Sequence, residues 1–256
     1  MKAYKDTAKS SWNFRFSNYY DVVIPLWIPP LIAFLAGSIP FGLLIAKVKG
    51  VNIRDHGSGN IGATNVLRVI GKPYGIACLI FDFLKGFLPT LLAANIYLIA
   101  GKNPQIAVEA FESMATTFPA ADAWKAQTLV ILAGLVAILG HNYSPWIGFK
   151  GGKGIATSGG VLVALMPFGV LVLLVIWLLL FFTTRYVSIA SIITALTLPL
   201  VTIYGSYRHG YLADGTWNKP LFIFSFIIAF LAVWRHRSNI KSLRAGTEHR
   251  FTRKKS

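Results

Sequence analysis

Six stretches of the chain, 22–47, 76–100, 128–141, 155–184, 188–205 and 221–234, are nearly free of charged side chains. Most approach or exceed the roughly 20 apolar residues with which a helix crosses a bilayer. In hydrocarbon every backbone N–H and C=O needs a partner in its own segment, so these stretches are predicted to be helices. Stretch 155–184 has to cross twice to keep the basic segments on either side of it together. Pro167 offers the break, giving helices near 155–165 and 168–184, each about 15–25 Å long at ~1.5 Å per residue. Short helices of that kind are tolerated where protein surrounds them, often beside a site. The expectation is an all-α polytopic membrane bundle of about seven helices, some short or broken, with six as the alternative count.

Charge gives the orientation. The chain is 55% hydrophobic and 13% charged with a net charge of +16, against about 25% charged in soluble domains. Loop 47–72 carries Lys47, Lys49, Arg54, Arg68 and Lys72 against Asp55, and loop 142–154 carries Lys150 and Lys153. Arg185 marks a third basic turn, and the tail from Arg235 holds eight basic residues against Glu248 alone. Segment 101–125 is balanced or acidic, with Lys102 and Lys125 against Glu109, Glu112 and Asp122. Positive-inside bias then puts the basic loops and the C-terminus in the cytoplasm and segment 101–125 outside, with the N-terminus. Lys2, Lys5, Lys9 and Arg15 argue against that N-terminal placement. Three regions follow: a polar N-terminal extension 1–21, a transmembrane domain 22–235, and a basic tail 236–256. Such a tail lies against anionic lipid, and no nucleic acid is needed to explain it. The first 21 residues lack the apolar core of a cleavable signal, and the single cysteine, Cys78, excludes an internal disulfide.

Chemistry concentrates in glycine-rich loops on that basic face. Gly57-Ser-Gly-Asn-Ile-Gly-Ala-Thr-Asn65 and Phe149-Lys-Gly-Gly-Lys-Gly-Ile-Ala-Thr157 pair glycines with basic neighbours, a pattern suited to a phosphate. The first follows a nucleotide-binding loop with Ala63 where lysine belongs, and no strand precedes it, so an NTPase reading fails. Arg54 can take the missing cation's place. Ser58, Gly59, Asn60, Thr64 and Asn65 supply this loop's polar and glycine positions, and Lys150, Gly151, Gly152 and Lys153 those of the second. Gly37-Ser-Ile-Pro40 interrupts the first span and brings Ser38 near loop 47–72. His236 and Asn239 share a helix face, followed by Glu248, and Ser188 and Ser191 repeat that spacing after Arg185. Asp82 and Lys85 read as an intramembrane pair. His56 and His141 lack ligand-spaced partners, so neither metal nor cofactor is implied. His209 and Asp214 match a His-x4-Asp acid–base motif of carrier-dependent acyltransferases, but on the outer side, where chance is the better account.

These motifs resemble the PlsY family of bacterial acyl-phosphate:glycerol-3-phosphate acyltransferases. The likeness rests on Gly37-Ser-Ile-Pro40, Arg54 with 57–65, Gly140-His141 with 149–157, and His236-x-x-Asn239 followed by Gly246-Thr-Glu248, from about residue 30 to 248. It implies a seven-helix bundle of the inner membrane with its site at the cytoplasmic edge. It also implies transfer of a fatty acyl group from acyl phosphate to the 1-hydroxyl of sn-glycerol 3-phosphate. Lysophosphatidic acid and phosphate leave, without CoA or carrier protein, and another enzyme supplies the acyl phosphate. By motif position Ser38, Arg54, Lys153 or Lys150, Ser188, His236 and Asn239 would hold the two phosphates. Either His236 or a substrate phosphate would accept the hydroxyl proton. A transporter of an organophosphate is the alternative of a different class; the absence of an internal repeat weighs against it.

Overall fold

A computed structural model describes residues 23–251. The expected extension 1–21 and the end of the tail lie outside them. Ten α-helices follow in order: α1 (Ile28–Ser38), α2 (Phe41–Val48), α3 (Ala63–Val69), α4 (Lys72–Ile96), α5 (Ala123–Asn142), α6 (Ile155–Leu165), α7 (Pro167–Thr184), α8 (Val187–Arg208), α9 (Lys219–Arg235) and α10 (Arg237–Arg244). The stretches Ile28–Val48, Lys72–Ile96, Ala120–Ile147, Pro167–Thr184 and Val187–Arg208 are long and apolar enough to cross a membrane. Helices α9 and α10 make a further candidate bent by 53°, and α6 is a shorter apolar helix.

The breaks fall where the sequence puts them. Pro40, which has no N–H to donate, separates α1 from α2. Met166 separates α6 from α7, and Pro167 takes the first helical position of α7. The helices are joined by a small two-stranded sheet. Residues beyond Ile96 leave α4 as strand β1 (Tyr97–Ile99), which pairs in parallel with β2 (Thr116–Phe118). Apolar periodicity cannot tell a helix's last turn from a short strand that continues it.

Helix α4 is the axis. It packs against α1, α3, α5 and α6, with glycines at the closest crossings. A Cβ on Gly86 would lie 2.2 Å from the Thr157 carbonyl oxygen, and one on Gly160 2.1 Å from that of Phe83. Helices in lipid gain little from apolar burial, so such backbone approach supplies much of the attraction. By contrast α7 fully buries only Leu173 and exposes Phe168, Leu171, Val172, Val175, Leu179 and Phe182, as a lipid-facing helix must.

Candidate active site

Residues between α2 and α3 form the first glycine loop. Gly57 and Gly59 adopt φ of +61° and +65°, where a side chain is strained. Asn65, buried on α3, closes the turn. Its Oδ1 accepts the Ser58 N–H at 2.9 Å, and its Nδ2 donates to the carbonyls of Asn60 at 2.9 Å and His56 at 3.1 Å. Asn60 Oδ1 accepts the Gly62 N–H at 2.8 Å. Asn65 therefore spends hydrogen bonds on holding the loop in shape.

The second loop leaves α5 and enters α6. Gly148 and Gly154 take left-handed φ of +62° and +79°. Gly151 and Gly152 do not offer their N–H groups to a ligand, as the sequence suggested. They donate to the carbonyls of Asn142 and His141, each at 3.1 Å, satisfying orphan carbonyls at the end of α5. The Arg235 guanidinium, arriving from α9, donates to the Gly151 carbonyl at 2.8 Å and to that of Gly152 at 2.6 and 3.0 Å. Arg54 donates to the Lys150 carbonyl at 2.9 Å and so ties the two loops together.

Between these loops lies a cavity of about 350 Å³. Of the residues singled out from the sequence, Ser58, Asn60, Thr64, Asn65, Lys153, Ser188, Ser191, His236, Asn239 and Glu248 line it. Ser38, Arg54, Gly59, Lys150, Gly151 and Gly152 do not. Ser38 is fully buried; its hydroxyl donates to the Leu35 carbonyl and accepts from Trp146 Nε1, each at 2.7 Å. Four lining residues are bonded in a row. Lys153 Nζ donates to Asn239 Oδ1, Asn239 Nδ2 donates to Glu248 Oε1 at 2.7 Å, and Ser188 Oγ donates to the same oxygen at 2.8 Å.

Burial lowers the Lys153 ammonium to about 8; Glu248 opposes the shift, while Arg235 and Arg68 add to it. His236, just past α9, is held down to about 4 by burial and then by the Lys153 charge. Its Nδ1 lies 2.8 Å from the Ala232 carbonyl. A carbonyl can only accept, so Nδ1 carries the proton and Nε2 is left as the ring's acceptor.

Sequence reasoning passed over Arg68 and Arg235 as site residues and gave His141 no role. Arg68 and His141 line the cavity, and Arg235 shapes the loop beneath it. Their positions relative to the glycine loops were the available signal, but an Arg near a membrane surface reads first as topology. A second cavity of about 320 Å³ shares Lys153, Ile155, Trp177 and Ser191 with the first. It runs among apolar side chains of α6, α7, α8 and α9, including Leu162, Leu173 and Leu198. Trp177 Nε1 donates to Ser191 Oγ at 3.1 Å at this junction. Among the described residues no group of three or more His, Cys, Asp or Glu side chains is placed to hold a metal ion.

His209 and Asp214, the expected chance match, lie in the segment after α8. Asp214 Oδ1 accepts from the Thr216 N–H at 2.9 Å and hydroxyl at 2.6 Å, while His209 Nδ1 faces the Gly205 carbonyl at 2.9 Å. They follow α8, whose 22 residues carry the chain about 33 Å from Ser188.

A family profile described as glycerol-3-phosphate acyltransferase matches residues 27–246. Proteins of that name from Aquifex aeolicus and Fusobacterium nucleatum are 40% and 41% identical over 221 and 222 residues. Each match covers 86% of this chain, and 96% and 95% of the relative. The fold resembles two crystal structures of PlsY (YgiH), an integral membrane glycerol 3-phosphate acyltransferase, in its glycerol 3-phosphate and lysophosphatidic acid forms. TM-scores are 0.69 and 0.67 at 37% and 36% identity, covering 89% of this chain and 96% and 95% of those chains. By profile, by sequence identity and by fold, this chain belongs to the glycerol-3-phosphate acyltransferase family.

Proposed function

We propose that this protein transfers a fatty acyl group from acyl phosphate to the 1-hydroxyl of sn-glycerol 3-phosphate, the first step of phospholipid synthesis. The observation that carries the reading is the junction of two cavities at Lys153. One carries cationic and polar groups, Lys153 and Arg68 among them, in a wall that also holds apolar side chains, and the other is lined almost wholly by apolar ones. Phosphates suit the first and an acyl chain the second, so the reacting carbonyl falls between Lys153, Trp177 and Ser191.

The mixed anhydride is already activated and phosphate leaves readily. Positioning and cationic stabilisation of the developing charge can supply most of the rate. Glu248 and Asn239 offer groups to the glycerol hydroxyls. Uncharged His236, with Nε2 as acceptor, is suited to take the attacking hydroxyl's proton. A substrate phosphate is the other candidate acceptor. No cofactor enters this account.

The same reading puts this end of the bundle in the cytoplasm of a bacterial inner membrane, with the N-terminus outside and the C-terminus inside. Basic residues gather around the cavity, whereas loop 206–218, where hydrogen bonds from Thr216 and, less, the Lys102 charge hold the Asp214 carboxyl below its usual range, lies a helix length away. A separate enzyme making acyl phosphate then delivers the donor from the same side. Purified protein should release phosphate from palmitoyl phosphate only when glycerol 3-phosphate is present, with lysophosphatidic acid in equal amount. Phosphate release independent of glycerol 3-phosphate, or none at all, refutes the assignment.

A further inference from the structure

We propose that Asp82, Lys85 and His141 are positioning residues: a buried ionic strut that sets the break after Ser38 and the glycine loop at 151–153 in fixed relation across α4. The inference rests on the activity proposed above. Asp82 and Lys85 lie one turn apart on α4, with side chains 4% and 3% exposed and 2.8 Å between Nζ and Oδ1. A buried pair of this kind brings little net stability over apolar residues of the same volume, so its presence calls for another use.

Its contacts indicate that use. Lys85 Nζ donates to the carbonyl of Ile39 at 2.7 Å, the residue at which the first span breaks before Pro40. The opposite end of the cluster is His141, whose Nδ1 is 3.6 Å from Asp82 Oδ1. Cys78 Sγ reaches Asp82 Oδ2 at 3.7 Å. The His141 carbonyl accepts the Gly152 N–H, and a Cβ on Gly152 would sit 2.1 Å from His141 Nε2. The Lys85 ammonium thus ties α4 to the break after α1, the Asp82 carboxylate lies beside His141 of α5, and the His141 carbonyl holds the loop that presents Lys153 to the cavity. Asp82 and His141 also border that cavity, so a shift of the strut displaces its wall directly.

The test is the double substitution Asp82→Leu with Lys85→Met, which removes both charges together, assayed in detergent-purified full-length protein. Melting temperature should hold while kcat falls about 100-fold, the scale of a small misplacement of reacting groups. Hydrogen exchange at the amides of Gly151 and Gly152 should quicken while exchange in α7 and α8 stays as in the parent. Asp82→Asn keeps the shape and should shift the same amides with a smaller loss of kcat. If the double variant fails to fold, this single variant carries the test. Parent-like kcat and parent-like exchange at Gly151 and Gly152, in whichever variant folds, overturn the proposal. Should the parent protein transfer no acyl group, the proposed activity fails, while the exchange comparison still decides the strut.

Discussion

Loop 57–65 is closed from within, and loop 148–154 from outside. In the first, Asn65 gathers backbone groups from residues within twelve positions of itself. In the second, the clamps are carbonyls at the end of α5 and the Arg235 guanidinium, 83 and 84 residues away in sequence. Both loops use left-handed glycines, yet the first is a local turn and the second a product of packing. Local closure gives a loop that survives when the bundle loosens. Remote closure couples the loop carrying Lys153 to the arrangement of α5 and α9.

The largest effect should come at Lys153, where the second loop delivers its charge. Lys153→Met should lower kcat/KM by about 100- to 1,000-fold, the usual cost of one charge-stabilising donor. With the parent protein, kcat/KM should hold below pH 8 and fall above it, because an ammonium titrating near 8 loses its charge as pH rises. Lys153→Arg, which stays charged, should lack that alkaline limb. A parent profile flat to pH 10 would show that Lys153 carries no essential charge.

Next comes the link between the loops. Arg54→Ala should cut kcat/KM by about 100-fold with little change in melting temperature, since it removes a cation and the bond to the Lys150 carbonyl. Near-parental turnover would mean that the loops keep their relation without it.

The comparison itself can be split by a pair of variants. Asn65→Ala leaves several loop groups unpartnered, at about 1–3 kcal/mol for each that stays buried. It should speed hydrogen exchange at Ser58, whose N–H Asn65 accepts. Arg235→Gln should instead speed exchange at Gly151 and Gly152 and leave 57–62 unchanged. Equal loosening of both loops by either variant would show that they form a single unit. The smallest effect is expected at the far end: His209→Ala and Asp214→Ala should each keep activity within about twofold, as surface changes remote from a site usually do. A tenfold loss would reopen their reading as an acid–base pair.

Much of the fold was legible because hydropathy acts over short range. The Pro40 and Pro167 breaks follow from a missing N–H, and the lipid-facing character of α7 from an uninterrupted apolar run. Within the site, Lys153, His236, Asn239, Glu248 and Ser188 could be selected by residue type and spacing. Less could be said about direction. Gly151 and Gly152 looked like phosphate ligands, but their N–H groups turn toward α5. Ser38 was chosen as a site hydroxyl, and in the fold it is buried and bonded to Trp146 and the Leu35 carbonyl. Nothing in a sequence says which way a flexible glycine points.

What the sequence alone determined is therefore the medium, the helices, the breaks and the chemical type of the site. These depend on hydrogen bonds and apolar surface within single segments, which neighbouring residues decide. Tertiary structure alone decided which polar groups face the cavity. It set Arg235 on the Gly151 and Gly152 carbonyls, brought His141 of α5 beside Asp82 of α4, and opened the apolar cavity beside Lys153. Each of those contacts joins different helices, and its strength depends on distances that only the packed bundle fixes.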